Sequence, residues 1–360
     1  MSASLPRTRQ LARTGLRVLY ALTVGLAGAL SCQFLQVPVP WLTGPLMSVT
    51  AGSMLFGSLA TPRWVRHTGQ WIVGIALGLH FAPPVVAEIL RFIPWMLLGA
   101  FGALAVGTLG GMAMSRMGCM DAATSHFATA LGGAPEMANA AERSGAQVDQ
   151  VVTAHTLRLV FVVASVPALL ALLQPACVVR QHIVAASLPS PSFLILAVVT
   201  LLLAQVAGRL SLPNAYTLVP LLVSAIVAGG GIYPVGAPPR WIGQGAQVLI
   251  ATSLAGQFSR GSLRASSRLV MPVLLYSAAG VAVAVAGALQ AGVLTGLPVT
   301  TLILALAPAS MADMGMTAEA LCLSVAVVTG FHVVRLLSVL AMTGPLFRMF
   351  RHAAVRSADK

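Results

Sequence analysis

The chain has 360 residues, of which 58% are apolar and 8% charged. A soluble domain is about a quarter charged, so a soluble globular fold is excluded and a polytopic membrane protein remains. Its 21 lysines and arginines outnumber 8 acids, for a net charge of +13, but the excess sits at the termini and in short loops between apolar runs. No helix-turn-helix, zinc module or basic stripe accompanies it, so the bias of cytoplasmic membrane loops toward positive charge explains it better than nucleic-acid binding.

Basic residues lead into an apolar run over residues 16–36. It is long enough to span, and the ALSC ending at Cys32 is a poor lipobox, so it reads as a retained first helix and not a signal peptide. A span needs about 20 mainly apolar residues. By that measure spans are predicted at 41–60, 67–81, 92–116 and 150–173, and again at 193–210, 216–233, 241–258, 269–290 and 322–346. Pro38 and Pro40, Pro62-Arg63, Pro83-Pro84 and the polar stretch 174–192 mark loops. The segments 121–147 and 299–321 are interrupted by Gly132-Gly133 with Pro135 and by Pro308 with Ala309-Ser310. Proline removes a backbone donor and glycine weakens a helix, so each segment is expected to be a broken spanning helix or a re-entrant hairpin. Cys32, Cys119, Cys177 and Cys322 show no ligand spacing and read as small buried hydrophobes. Gly25, Gly28, Gly74 and Gly78 read as sites of close helix packing.

Residues 131–159 return without a gap, 177 positions later, as 308–336. Met137, Ala141, Glu142, Val148, Val151, His155, Arg158 and Leu159 recur as Met314, Ala318, Glu319, Val325, Val328, His332, Arg335 and Leu336, and Glu136 becomes Asp313. Gln70 and Phe81 recur as Gln247 and Phe258, and Pro38 and Pro45 recur as Pro213 and Pro220 at an offset of 175. The chain therefore reads as a duplication of two units, 16–174 and 192–347. If the interrupted segments are hairpins, each unit has an odd number of spans and the second enters the membrane inverted. With the N-terminus inside, Arg7 to Arg17, Arg63, Arg66, Arg116, Arg143, Arg209, Arg260, Arg264, Arg268 and the C-terminus are then cytoplasmic, and only Arg91, Arg180 and Arg240 lie outside. If the segments span, Arg260, Arg264 and Arg268 move outside, against the positive-inside bias.

Irregular backbone at membrane depth is tolerated only where protein buries it or water reaches it, so the two breaks mark an internal site. Glu136 and Asp313 follow the breaks, where the positive end of a helix dipole favours a carboxylate. Asn139 and Thr317 are three and four residues beyond their acids, on the same helical faces. They predict an ion or proton site, or else carboxylates that only cap freed amides. His155 and Arg158 share one face of a helix, as do His332 and Arg335. Arg158 lies about 12 Å into its span, too deep to reach water by snorkelling alone. A buried charge needs a partner, and Glu136 and Asp313 are the expected ones, either around a ligand or as structural ion pairs. Gln70 and Gln247 are expected to hydrogen-bond between helices, His80 and His126 to be packed, and Asp121, Glu142, Asp149 and Glu319 to be solvated.

GGAPEM at 132–137 with H-x-x-R downstream, the second H-V-V-R at 332–335, WLTGP at 41–45 and GQWIVGIALGLHF at 69–81 together resemble the AbrB family of bacterial membrane proteins. The resemblance runs over about residues 16–347. It implies a duplicated membrane domain and carries two labels, ammonia monooxygenase and regulator of AidB expression. It is distinct from the small DNA-binding transition-state regulators of the same name. Family copies usually read close to PGG-x-x-EM. Here Leu131 replaces the first proline, and the second copy keeps Pro308 and Met314 but carries Ala309, Ser310 and Asp313, so the two halves are not expected to function alike.

The expectations are an all-α polytopic inner-membrane protein of about ten spans in two homologous, inverted repeats, each with a broken or re-entrant helix and both termini cytoplasmic. The expected binding residues are Gly132, Gly133, Glu136, Asn139, His155, Arg158, Pro308, Asp313, Thr317, His332 and Arg335. No catalytic residue, metal or cofactor is expected, because each repeated histidine has an arginine beside it that opposes a metal. The expected partners are the lipid bilayer and a small-molecule or ion substrate, with homo-oligomers allowed. Secondary transport of a small anionic metabolite, proton coupling included, is the leading function. A membrane-embedded regulator that moves nothing is the alternative, and a monooxygenase comes third.

Overall fold

A computed structural model of the chain describes residues 7–57, 59–173, 189–231, 238–257 and 267–358. Cys177, Arg180, Phe258, Arg260, Arg264, most of the polar joint between the halves and the far ends of the spans expected at 216–233 and 241–258 lie outside the described residues. The described residues are all-helical, with no strand.

The first half holds α1 (Arg7–Phe34), α2 (Pro40–Phe56), α3 (Arg63–Gly78), α4 (Pro83–Arg116), α5 (Ala122–Thr129), α6 (Ala134–Arg143) and α7 (Val148–Leu173). The second holds α8 (Pro191–Arg209), α9 (Ala215–Gly229), α10 (Arg240–Ala255), α11 (Ser267–Thr295), α12 (Val299–Leu306), α13 (Met311–Ala320) and α14 (Val325–Ala358). Local chemistry sets many of the ends. Asp121 caps α5 by accepting from Thr124 N at 2.9 Å, and Ser190 caps α8 by accepting from Phe193 N at 3.2 Å, each satisfying a free amide of a first turn. Proline opens α2, α4, α6 and α8, where its missing N–H costs nothing.

Backbone irregularities recur at the sequence offsets. Gln36 and Val39, before α2, have φ of 54° and 50°, and Ser211 and Asn214, before α9, have φ of 58° and 48°. Gly145 and Cys322, before α7 and α14, have φ of 71° and 54°. Positive φ is uncommon for residues with a side chain, so its return at matching positions reflects a shared chain path. Packing matches too. The pairs α1–α2, α4–α5, α5–α7 and α6–α7 are mirrored by α8–α9, α11–α12, α12–α14 and α13–α14, while α3–α9 and α4–α14 are answered by α10–α2 and α11–α7.

Among the described residues, six helices are long and apolar enough to cross a membrane: Thr14–Phe34, Ile89–Arg116, Val148–Leu173, Pro191–Arg209, Ser267–Thr295 and Val325–Phe347. The other four expected spans form α2, α3, α9 and α10, of 17, 16, 15 and 16 residues. They fall short of a bilayer's width at 1.5 Å per residue. These four pack chiefly on α1, α8 and one another, whereas α4–α7 and α11–α14 pack chiefly among themselves. Two packed groups result, a scaffold and a group carrying the broken segments. The scaffold is close-packed at glycine: a β-carbon at Gly74 of α3 would stand 2.6 Å from Thr217 O of α9, and one at Gly78 would strike Leu221 O.

The expected breaks are present. α5 stops at Thr129 and α6 starts at Ala134; α12 stops at Leu306 and α13 starts at Met311. Glu142, Asp149 and Glu319 are exposed, as is Asp121.

Candidate functional site between the two breaks

A helix that stops inside a protein leaves its last carbonyls without partners and its negative dipole end uncompensated. Here the repeated histidine and arginine supply both needs. His155 Nε2 bonds Phe127 O at 2.9 Å and His332 Nε2 bonds Leu304 O at 2.9 Å. A carbonyl only accepts, so Nε2 carries the hydrogen in each ring and Nδ1 is left as an acceptor. Arg158 Nη1 donates to Ala130 O at 3.1 Å, and Arg335 Nη1 donates to the equivalent Ala307 O at 2.6 Å. The second guanidinium nitrogens diverge. Arg158 Nη2 donates to His155 Nδ1 at 2.9 Å, whereas Arg335 Nη2 reaches across its break to Ala309 O at 2.5 Å. The Tyr276 hydroxyl adds a donor to Thr129 O at 2.7 Å.

The expected ion pairs of Glu136 and Asp313 with Arg158 and Arg335, within a half or across halves, are not formed among the described residues. The positive charge of each arginine is met by the carbonyls of its own broken segment, which are nearer in the fold than either acid. The acids turn toward the scaffold instead. Glu136 Oε1 accepts from Asn214 N at 3.0 Å; it thereby caps the first turn of α9, whose positive end favours the charge. The carboxylate of Asp313, 4% exposed, has the Ser310 hydroxyl and the Arg66 guanidinium near it. Arg66 of α3 feels both Asp313 and Glu136, so one scaffold arginine faces the acids of both breaks.

A cavity of about 60 Å³ lies between the breaks and the scaffold. Of the expected binding residues, Gly132, Gly133, His155, Arg158, Pro308, His332 and Arg335 line it. Glu136 and Asp313 stand behind the wall. Asn139 is exposed, and the Thr317 hydroxyl donates to Asp313 O at 2.8 Å within its own helix; neither lines the cavity. The wall also contains Arg66, Gln70, Asn214 and Thr217. Gln70 carried a signal, its recurrence as Gln247. Arg66 reads in sequence as one more loop charge, and at the matching offset stands Gly243. Tyr276 has no counterpart either, since Gly99 occupies the matching position. Among the described residues, no three of His, Cys, Asp and Glu cluster as metal ligands would.

The wall holds three arginines and, among the described residues, no acid. The amide ends of α6 and α13 also border it at Gly133-Ala134 and Ser310-Met311-Ala312, and such ends favour negative charge. The arrangement suits an anion.

Residues 41–351 match the family model described as "Transition state regulatory protein AbrB". The chain is similar to a Bacillus subtilis (strain 168) protein, "Uncharacterized protein YhjN", at 25% identity over 96% of each chain. It is also similar to "Putative regulator AbrB" of Escherichia coli (strain K12), at 26% identity over 91% of this chain and 96% of the other. With the family model covering most of its length, including both breaks, the chain belongs to the AbrB family.

Proposed function

We propose that the protein is a secondary transporter that moves a small anionic metabolite across the inner membrane through the cavity between the breaks. The observation that carries this reading is the composition of the cavity wall: Arg66, Arg158 and Arg335, with two helix amide ends, stand where two separately packed groups of helices meet. A site on such a boundary can be opened to either side by modest motion of one group against the other, which is the geometry of alternating access. The six long helices and the four shorter ones together form ten membrane-embedded helices in two inverted repeats, with the termini in the cytoplasm. Proton coupling fits the acid of the second break: an anion that draws Arg66 away leaves Asp313 free to bind a proton.

The test is uptake into proteoliposomes, screened with radiolabelled small organic acids under an imposed pH gradient. Saturable uptake that is lost in Arg66→Met supports the reading. Absence of both uptake and binding for every acid would leave the regulator reading, which the name of the Escherichia coli relative favours. Single cysteines at Arg240 and Arg268, in a background lacking the native four, test the inverted arrangement. An impermeant reagent added to intact cells should label position 240 and spare 268, and the reverse pattern overturns it.

A further inference from the structure

The two halves use the same histidine and arginine, yet they leave different atoms over. In the first half His155 Nδ1 is taken by Arg158. In the second, Arg335 spends both terminal nitrogens on carbonyls, and His332 Nδ1 has no hydrogen-bond partner. Since His332 Nε2 carries the hydrogen that bonds Leu304 O, Nδ1 is a lone-pair acceptor. Arg158, in turn, keeps Nε–H without a partner. Both side chains line the cavity, and they are 1% and 3% exposed. A buried polar atom left unpaired is costly. The wall therefore lacks two things of opposite kind: an acceptor for Arg158 and a donor for His332.

We infer that the transported anion carries its own hydrogen-bond donor, and that the substrate class is the small hydroxycarboxylates, with His332 Nδ1 accepting from the hydroxyl while Arg158 and Arg66 hold the carboxylate. The inference rests on the transport reading above and narrows it. Plain carboxylates offer acceptors only and leave His332 unpaired. Sulfate satisfies the arginines and fails in the same way. Amines bring a donor but oppose three arginines. Size agrees: a water needs about 10–15 Å³ of such space, so about 60 Å³ admits a molecule of a few heavy atoms. His155 cannot play the same part, because Arg158 already donates to its Nδ1. Selectivity thus belongs to one half, and the equivalent residue of the other half is an internal control.

Matched pairs of acids that differ by one hydroxyl decide the matter. Binding of glycolate against acetate, and of lactate against propionate, would be measured calorimetrically on the purified full chain in detergent. A site built to bond a hydroxyl rejects the analogue that lacks it, so the hydroxy acid should bind at least about tenfold more tightly. His332→Phe should bring each pair to within about threefold, whereas His155→Phe should preserve the ratio even if both affinities fall. Equal binding of the two members of each pair by the unaltered protein overturns this inference and leaves transport standing. No binding of any of the four acids, with no uptake in liposomes, removes the transport reading together with it. Should His332→Phe fail to fold, the ratio in the unaltered protein still decides.

Discussion

The broken segment at residues 122–143 and the one at 299–320 are built from one motif, yet the first borders solvent and the second is interior. Every residue of α13 from Met311 to Ala318 is buried, and both α12 and α13 belong to the main apolar core. α6 exposes Asn139, Glu142 and Arg143, and α5–α6 pack in a smaller cluster around Met114, Phe127 and Met137. α13 also packs on α3 of the scaffold. The contrast teaches that a repeated motif conserves backbone repair and leaves the role of each copy to its surroundings. Both arginines tie off a carbonyl end, but only Arg335 bridges its break.

The largest expected effect follows from that bridge. Arg335→Met leaves Ala309 O in the core without a donor, while Ala307 O keeps the Ala309 N–H at 2.8 Å, so the loss should cost about 2–3 kcal/mol. Arg158→Met should cost less, about 1–2 kcal/mol, because the Tyr276 hydroxyl still serves Thr129 O and the one carbonyl left unpaired, Ala130 O, belongs to the copy that borders solvent. Denaturant unfolding in detergent measures both, and equal losses would erase the distinction between interior and peripheral copies.

A smaller effect concerns the residue pair at each break. A β-carbon at Gly133 would strike the Glu136 carboxylate. The second copy has Ser310 with Asp313, an acid one methylene shorter, so the β-carbon is accommodated. Gly133→Ala should therefore destabilise by about 1–2 kcal/mol, and adding Glu136→Asp should restore about 1 kcal/mol of it, the size expected for residues in contact. Thermal unfolding of the single and double variants checks the coupling, and a double variant no better than Gly133→Ala alone would show that the clash is not with this side chain.

The smallest effect is a near-absence. Glu136 and Arg158 have separate partners, so Glu136→Gln and Arg158→Met should add to within about 0.5 kcal/mol. Arg66→Met and Asp313→Asn should instead couple, because each removes the charge that the other offsets. A double-mutant cycle on stability separates the two cases, and strong coupling between Glu136 and Arg158 would restore the ion pair that the hydrogen bonds argue against.

Much of this molecule was legible in its sequence. Apolar runs of about 20 residues gave the long helices, prolines and glycines located both breaks, and an offset of 177 drew attention to Glu136, His155, Arg158 and their second copies. These are local signals: helix length, backbone conformation and recurrence are written along the chain. What each charged side chain touches was decided by tertiary structure. Sequence scarcity suggested that the arginines must pair with the acids, since an isolated buried charge is costly. Folding brings helix ends within reach, and a row of carbonyls at the end of a broken helix can accept a guanidinium's hydrogen bonds in place of a carboxylate. No residue type advertises that alternative, because backbone carbonyls occur at every position. Arg66 was hidden for a related reason. As a charge beside Arg63 it resembles loop decoration, and only the packing of α3 against α9, α10 and α13 brings it to face both breaks.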